Sequence, residues 1–162
     1  MFICRILKGK RGRVRLLDNM SFGSFNNKIK KPRTRFDWLS TDAAIVDKYI
    51  ADPLCGALFT VQFFSDLLTG LGFIFKNRNI KKIRTDLPIL LISGDQDPVG
   101  DFGKGVKQTW RKFKKNGLVN VQMKFYNGFR HEILNEVNKE CVYNDIAEWL
   151  NKLTEKLNNN EK

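Results

Sequence analysis

The sequence predicts an α/β fold in which a helical region is followed by a C-terminal β-α-β-α unit. An apolar run at residues 89–93, ending in a turn at 94–97, is typical of a buried strand. Residues 121–125 alternate apolar and polar side chains, as expected of a strand near a sheet edge. An amphipathic helical pattern lies between the two, so the connection fits a right-handed crossover between parallel strands.

The chain begins with a strongly basic segment. Its 162 residues carry a formal net charge of +12, and residues 1–35 hold eleven Lys or Arg against the single acid Asp18. Because glycines interrupt this segment and no nucleic-acid motif is present, we interpret residues 1–35 as a solvated basic arm. Clustered cations also attract phosphates, so contact with an anionic membrane or a nucleic acid stays an open alternative.

Residues 36–82 are predicted to be helical and irregular. Ser40 or Thr41 can cap a short helix, which ends at Asp52 because the residue before a proline avoids helical geometry. Apolar positions between 58 and 71 recur at spacings of three and four, which predicts an amphipathic helix. Polar residues interrupt this stretch too often for a membrane-spanning helix.

The C-terminal unit lacks the neighbours that its first strand requires. The connecting helix carries Trp110 on its apolar face and Gly117 in the position of a C-cap glycine. A last helix has an apolar stripe between residues 142 and 157, and residues 159–162 are predicted to be a disordered tail. The first strand is apolar on both faces and should have sheet neighbours on both sides. We therefore expect the chain to be the C-terminal part of a larger protein, or to pair with a separate chain.

An acidic residue and the only histidine follow the two predicted strands. Because the carboxyl ends of parallel strands share one edge of a sheet, we expect Asp97 and His131 to meet there. A carboxylate bonded to the histidine Nδ1–H holds the tautomer in which Nε2 accepts a proton from a nucleophile. In the alternative, Asp97 is an ordinary turn residue, Asp95 takes the acidic role, or His131 is a surface loop histidine.

The segments that follow the strands resemble a known family. Residues 90–99, LLISGDQDPV, and residues 126–136, YNGFRHEILNE, look like the tail of α/β-hydrolase fold enzymes of the lysophospholipase, monoacylglycerol lipase and serine aminopeptidase S33 group. The resemblance implies a partial α/β-hydrolase fold, a helical cap followed by the β-α-β-α unit. It also implies that Asp97 is the triad acid and His131 the triad base.

Residues 21–60 are similar to the helical cap that covers the site in bacterial members of this group. The resemblance therefore implies a cap region at 36–82 and a C-terminal core segment at 83–158. Large apolar residues are abundant in this region: Leu58, Phe59, Phe63, Phe64, Leu68, Phe73 and Phe75. They suit an acyl chain or a membrane edge, but packing of the cap on the core explains them equally well.

No serine in this chain has the Gly-x-Ser-x-Gly setting of a hydrolase nucleophile. The candidates are Ser21, Ser24, Ser40, Ser65 and Ser93. In the family the nucleophile precedes the cap, so we expect it to be missing from this chain and the chain alone to be inactive. The resemblance implies a hydrolase of lysophospholipids or monoacylglycerols, which an N-terminal half on a separate chain could complete. We expect no cofactor and no metal.

Three cysteines, Cys4, Cys55 and Cys141, are too widely spaced to favour a disulfide framework or a zinc site. A reducing, cytoplasmic location is therefore the expectation. Residues 1–7 also lack the pattern of a signal peptide. The alternative function is a non-catalytic binding protein that uses its basic arm on anionic lipid or nucleic acid. Steep salt dependence of binding, lost on deletion of residues 1–35, would distinguish it.

Overall fold

The computed structural model describes residues 8–160 of the chain. Residues 1–7, which include Cys4 and the segment considered as a signal peptide, lie outside the described residues, as do residues 161–162. Among the residues described, the strands form one two-stranded parallel sheet and the rest of the regular structure is helical. Cys55 and Cys141 are free thiols.

The predicted β-α-β-α unit is confirmed. In chain order the elements are α1 (Arg15–Phe22), a 3-10 turn (Phe25–Lys28), α2 (Ala43–Ala51), α3 (Val61–Ile74), α4 (Asn77–Ile80), β1 (Ile89–Gly94), α5 (Lys104–Lys115), β2 (Val121–Tyr126), a second 3-10 turn (Ile133–Asn135) and α6 (Glu140–Asn160). Helix α1 lies within the predicted basic arm, and α6 includes the first two residues of the predicted tail.

Helix α2 is capped by Asp42, and the prediction that Ser40 or Thr41 caps it is wrong. The side chain of Asp42 accepts a hydrogen bond from the backbone N–H of Ala44 at 2.9 Å, so Asp42 is the N-cap. Ser40 acts one step earlier, because its hydroxyl oxygen accepts the N–H of Asp42 at 3.0 Å. The helix ends at Ala51, immediately before Asp52-Pro53, as predicted.

Helix α3 confirms the amphipathic pattern predicted between residues 58 and 71. Thr60 caps it by accepting the backbone N–H of Phe63 at 3.1 Å, and Val61 and Phe64 are buried. Farther along the same apolar stripe Leu68 is 59% exposed, and Phe73 is 56% exposed, so only the first part of the stripe is buried. No helix among residues 8–160 is long and apolar enough to cross a membrane.

The sheet has one strand pair in a fixed register. Strand β1 runs parallel to β2, with Ile89 opposite Val121 and Gly94 opposite Tyr126. Helix α5 connects them and is tied to β2 by the indole N–H of Trp110, which donates to the carbonyl of Val121 at 3.0 Å. Two apolar clusters hold the unit together: one of Ile80, Leu118 and Val121, and one of Tyr126, Ile133 and Val142.

The outer edge of β1 is open among the described residues. Ile89 donates its N–H to the carbonyl of Asn120, and Asp95 donates to that of Tyr126. Because N–H groups alternate in direction along a strand, those of Leu90 and Ile92 point away from β2. Residues 89–92 are all partly exposed, as expected of a strand without its second neighbour.

Candidate active site

Asp97 occupies the turn that follows β1. Its side chain is buried, with 6% of the residue exposed, and its Oδ1 accepts the backbone N–H of Val99 at 2.8 Å. Its own backbone carbonyl accepts the N–H of Phe102 at 2.8 Å. The turn is therefore held by its own hydrogen bonds, and the carboxylate has a defined direction.

His131 lies in the loop that follows β2. Its backbone N–H donates to the carbonyl of Trp38 at 3.4 Å, and the two rings contact each other with their centroids 5.3 Å apart. The side chain is 38% exposed, so the imidazole is supported on one side and accessible on the other. Sequence reasoning did not identify Trp38 as a neighbour of the histidine, because the contact joins residues far apart in the chain.

The structure brings these two predicted site residues together. The Nδ1 of His131 lies 3.2 Å from both carboxylate oxygens of Asp97. The parallel register places both loops at the same end of the sheet, which is the geometric reason for the contact. With a proton assigned to Nδ1, the ring donates to the carboxylate, and Nε2 is left to accept a proton from another group.

Asp95, the alternative acid, has a different partner. Its Oδ1 accepts the backbone N–H of Gly128 at 2.8 Å, so this carboxylate joins the turn after β1 to the turn after β2. A hydrogen bond from the side chain of Gln96 reaches the same oxygen at 3.1 Å. Of the two acids, Asp97 is the one hydrogen-bonded to the histidine.

The two buried serines of the described segment donate their hydroxyls to backbone carbonyls. Ser40 is 1% exposed and donates its hydroxyl to the carbonyl of Asn135 at 3.0 Å. Ser93, which ends the first predicted strand, is buried and donates to the carbonyl of Gly94 at 3.1 Å. Within residues 8–160 no serine hydroxyl is hydrogen-bonded to the imidazole, and no three His, Cys, Asp or Glu side chains form a candidate metal site.

A cavity of about 530 Å³ lies between α1, the 3-10 turn at 25–28, and α3. Its apolar wall is formed by Phe22, Trp38, Phe59, Phe63 and Leu67. Asp18 and Arg35 lie in the polar part of its wall and form an ion pair at 3.3 Å. Trp38 lines this cavity and also contacts His131, whereas His131 itself is not part of the cavity wall.

The family model described as serine aminopeptidase, S33, matches residues 8–138. Among solved structures, a highly thermostable carboxyl esterase from Bacillus coagulans in complex with glycerol matches with a TM-score of 0.78 and 26% identity, covering 94% of this chain and 49% of that chain. A lipase in its open form matches with a TM-score of 0.72 and 25% identity, over 84% of this chain and 44% of that one.

A soluble variant of monoglyceride lipase from Saccharomyces cerevisiae, in complex with a substrate analogue, matches with a TM-score of 0.58 and 25% identity. This match covers 72% of the present chain and 41% of the yeast protein. No curated protein sequence matches the chain. The chain thus spans about half the length, or less, of each solved structure described above, and the predicted partial α/β-hydrolase fold is confirmed.

Proposed function

Because the chain belongs to the serine aminopeptidase S33 family of α/β hydrolases and is similar in structure to an esterase and a lipase, we propose that it supplies the acid and base of a carboxylic ester hydrolase. In this proposal Asp97 is the triad acid and His131 is the triad base. The observation that carries it is the 3.2 Å hydrogen bond between Nδ1 of His131 and the carboxylate of Asp97. Such a pair fixes one imidazole tautomer and stabilises the imidazolium that forms during acyl transfer.

In the proposed reaction the nucleophile is a serine from outside this chain. As the serine oxygen attacks the ester carbonyl, Nε2 of His131 takes the hydroxyl proton and then gives it to the departing alkoxide. Water repeats the sequence on the acyl-enzyme, releasing the carboxylic acid and regenerating the serine. Asp97 accepts the hydrogen bond from Nδ1–H throughout and does not take up the proton itself.

The proposed source of the serine is the other half of the hydrolase fold. The chain covers 49% of the Bacillus coagulans esterase, and β1 has an open edge among residues 8–160, which together support a missing set of strands. We place the nucleophile and the oxyanion-binding N–H groups on that missing part. It can be encoded upstream in one polypeptide or belong to a separate chain.

The proposed substrates are monoacylglycerols or lysophospholipids. The cavity next to Trp38 has about 530 Å³ and a largely aromatic wall, which suits a single acyl chain. In this proposal residues 36–82 form the cap that covers the ester, and the acyl chain enters between α1 and α3. A substrate with one acyl chain fits a cavity of this size better than one with two or three.

An esterase assay tests the proposal. Hydrolysis of a short acyl ester is measured for the chain alone and for the chain mixed with the polypeptide encoded immediately upstream, provided that this carries Gly-x-Ser-x-Gly. We expect almost no turnover from the chain alone and restored turnover on mixing, because loss of the triad serine costs about a millionfold. The substitution His131→Ala should abolish the restored activity. Activity of the chain alone, or restored activity that survives His131→Ala, would contradict the proposal.

A further inference from the structure

The loop that carries His131 is held by a segment about ninety residues earlier in the chain. Besides the bond from His131 to Trp38, the backbone N–H of Glu132 donates to the carbonyl of Leu39 at 2.7 Å. These two bonds connect residues 131–132 to residues 38–39. The position of the imidazole therefore depends on residues that belong to the helical region, as well as on strand β2.

Glu136 connects the same two segments through its side chain. The residue is 1% exposed, and both of its carboxylate oxygens accept hydrogen bonds. Oε1 accepts the backbone N–H of Arg130 at 2.7 Å, and Oε2 accepts the backbone N–H of Thr41 at 2.9 Å together with the Thr41 hydroxyl. A buried carboxylate is costly unless such donors surround it, so these bonds give the arrangement a single defined geometry.

Arg130 completes the connection from the other side. Its guanidinium Nη1 donates to the carbonyl of Asp37 at 2.6 Å and to that of Ser40 at 3.0 Å. Ser40 in turn donates its hydroxyl to the carbonyl of Asn135. Hydrogen bonds thus run in both directions between residues 37–41 and residues 130–136.

We propose that Glu136 is a positioning residue, whose buried carboxylate locks residues 37–41 to the histidine loop and thereby orients His131 toward Asp97. This inference rests on the proposed function of the Asp97–His131 pair. Glu136 fixes the peptide N–H of Arg130, the residue immediately before His131, and so sets the direction in which the chain enters the histidine. The imidazole is partly exposed and its bonds to Asp97 are 3.2 Å long, so its orientation depends on its backbone.

The substitution Glu136→Gln tests this role. Glutamine keeps the shape of the side chain, but one carboxylate oxygen becomes an NH₂ group. This group cannot accept the N–H of either Arg130 or Thr41, so the hydrogen bonds to one of the two segments are lost. Glu132→Gln is the matched control, since it removes the same charge next to His131 from a half-buried residue whose carboxylate accepts, among the described residues, only from the side-chain amide of Asn135. Thr41→Val is a milder variant, which removes one donor to Glu136 and leaves its carboxylate in place.

The measurement is the tautomer of His131, read from the ¹⁵N resonances of its ring at a pH where the imidazole is neutral. His131 is the only histidine in the chain, so its ring signals need no further assignment. In the unmodified chain and in Glu132→Gln we expect the Nδ1–H tautomer to predominate, because the bond to Asp97 selects it. In Glu136→Gln we expect the Nδ1–H tautomer to lose its predominance, with a smaller fall in Thr41→Val.

The outcomes separate the two proposals. If the unmodified chain lacks the Nδ1–H tautomer, the Asp97–His131 pair is not formed in solution and the proposed function fails with it. If the unmodified chain has that tautomer and a folded Glu136→Gln retains it, the positioning role of Glu136 is wrong and the proposed function stands. Circular dichroism reports folding, and if Glu136→Gln does not fold, an unchanged tautomer in Thr41→Val overturns the inference.

Discussion

At the scale of single residues, the two carboxylates in the turn after β1 have separate tasks. Asp95 accepts the N–H of Gly128 and joins two turns, whereas Asp97 accepts from His131. They are two positions apart, and the tight turn directs one carboxylate toward the adjacent backbone and the other toward the imidazole. A carboxylate thus joins two turns at one position and contacts the imidazole at the other.

This difference predicts the effects of two matched substitutions in the completed hydrolase. Asp97→Asn should lower kcat by about 10⁴-fold, because the amide no longer selects the Nδ1–H tautomer of His131. Asp95→Asn keeps an oxygen that can accept the N–H of Gly128, so kcat should change little. The measurement is ester hydrolysis by the mixed halves. Equal losses in the two variants would contradict the assignment of Asp97.

The hydrogen bonds around Asp37 should make the free energy of unfolding depend on pH. Burial raises the pKa of Asp37, but hydrogen bonds from the Thr34 side chain and from the N–H groups of Arg33 and Thr34 outweigh it and hold the pKa below its usual value of 3.8. A carboxyl whose pKa is lower in the folded state stabilises the fold above the unfolded-state pKa. That stabilisation is lost as the pH falls through the lower folded-state value.

We therefore expect Asp37→Asn to lower the free energy of unfolding most at neutral pH, with the difference from the unmodified chain shrinking in acid. Urea unfolding at a series of pH values measures it. Thr34→Val, which removes one donor to the carboxylate, should produce a smaller change of the same kind. If the free energy of unfolding falls as steeply with decreasing pH in Asp37→Asn as in the unmodified chain, another group controls the acid dependence.

At the scale of elements, the end of β1 depends on a close approach between two backbone segments. A Cβ at Gly94 would lie 2.0 Å from the carbonyl oxygen of Phe129, so only glycine fits next to the histidine loop. Gly70, in the middle of the exposed part of α3, has open space around the position of its absent Cβ. The two glycines therefore have opposite consequences when replaced.

Gly94→Ala should destabilise the chain by about 3 kcal/mol, since backbone must move to relieve the clash. Gly70→Ala should stabilise it by about 0.8 kcal/mol, because alanine favours a helix interior over glycine by that amount. Chemical unfolding of the two variants under one set of conditions checks both signs. A tolerated alanine at 94 would mean that the loop after β2 lies farther from the strand than described.

The elements were predictable where one periodicity dominates the sequence. Strands β1 and β2 and helices α5 and α6 follow from apolar runs, alternation and helical stripes, which are local properties. Helix α1 was not predicted, because the many basic residues around it indicated that residues 1–35 are a solvated arm. Asp97 and His131 were predictable from strand ends and from the family resemblance, whereas Trp38 and Glu136 act through contacts across more than ninety positions, which no local pattern reveals.

At the scale of the whole molecule, the open edge of β1 predicts a pattern of amide exchange. Leu91 and Ser93 share the direction of Ile89, toward β2, whereas Leu90 and Ile92 direct their N–H groups outward. Outward amides of the chain alone should exchange rapidly with solvent, and the inward ones should be protected.

Adding the complementary half should protect Leu90 and Ile92 as well, because a neighbouring strand would accept their N–H groups. Hydrogen exchange followed residue by residue measures this change, with the amides of exposed α5 positions as an internal control. Protection of both outward amides in the chain alone, independent of its concentration, would contradict an unpaired edge.

The long-range connection between residues 37–41 and 130–136 has a kinetic consequence. The hydrogen bond from Arg130 to the carbonyl of Asp37 spans 93 positions, so it closes a large loop, and the entropy of that closure must be overcome before the bond contributes. Local helices and the crossover between the strands form within much shorter spans. During refolding the connection between residues 37–41 and 130–136 should therefore form after the crossover, so that an intermediate with both strands paired still has its histidine loop detached from the helical region.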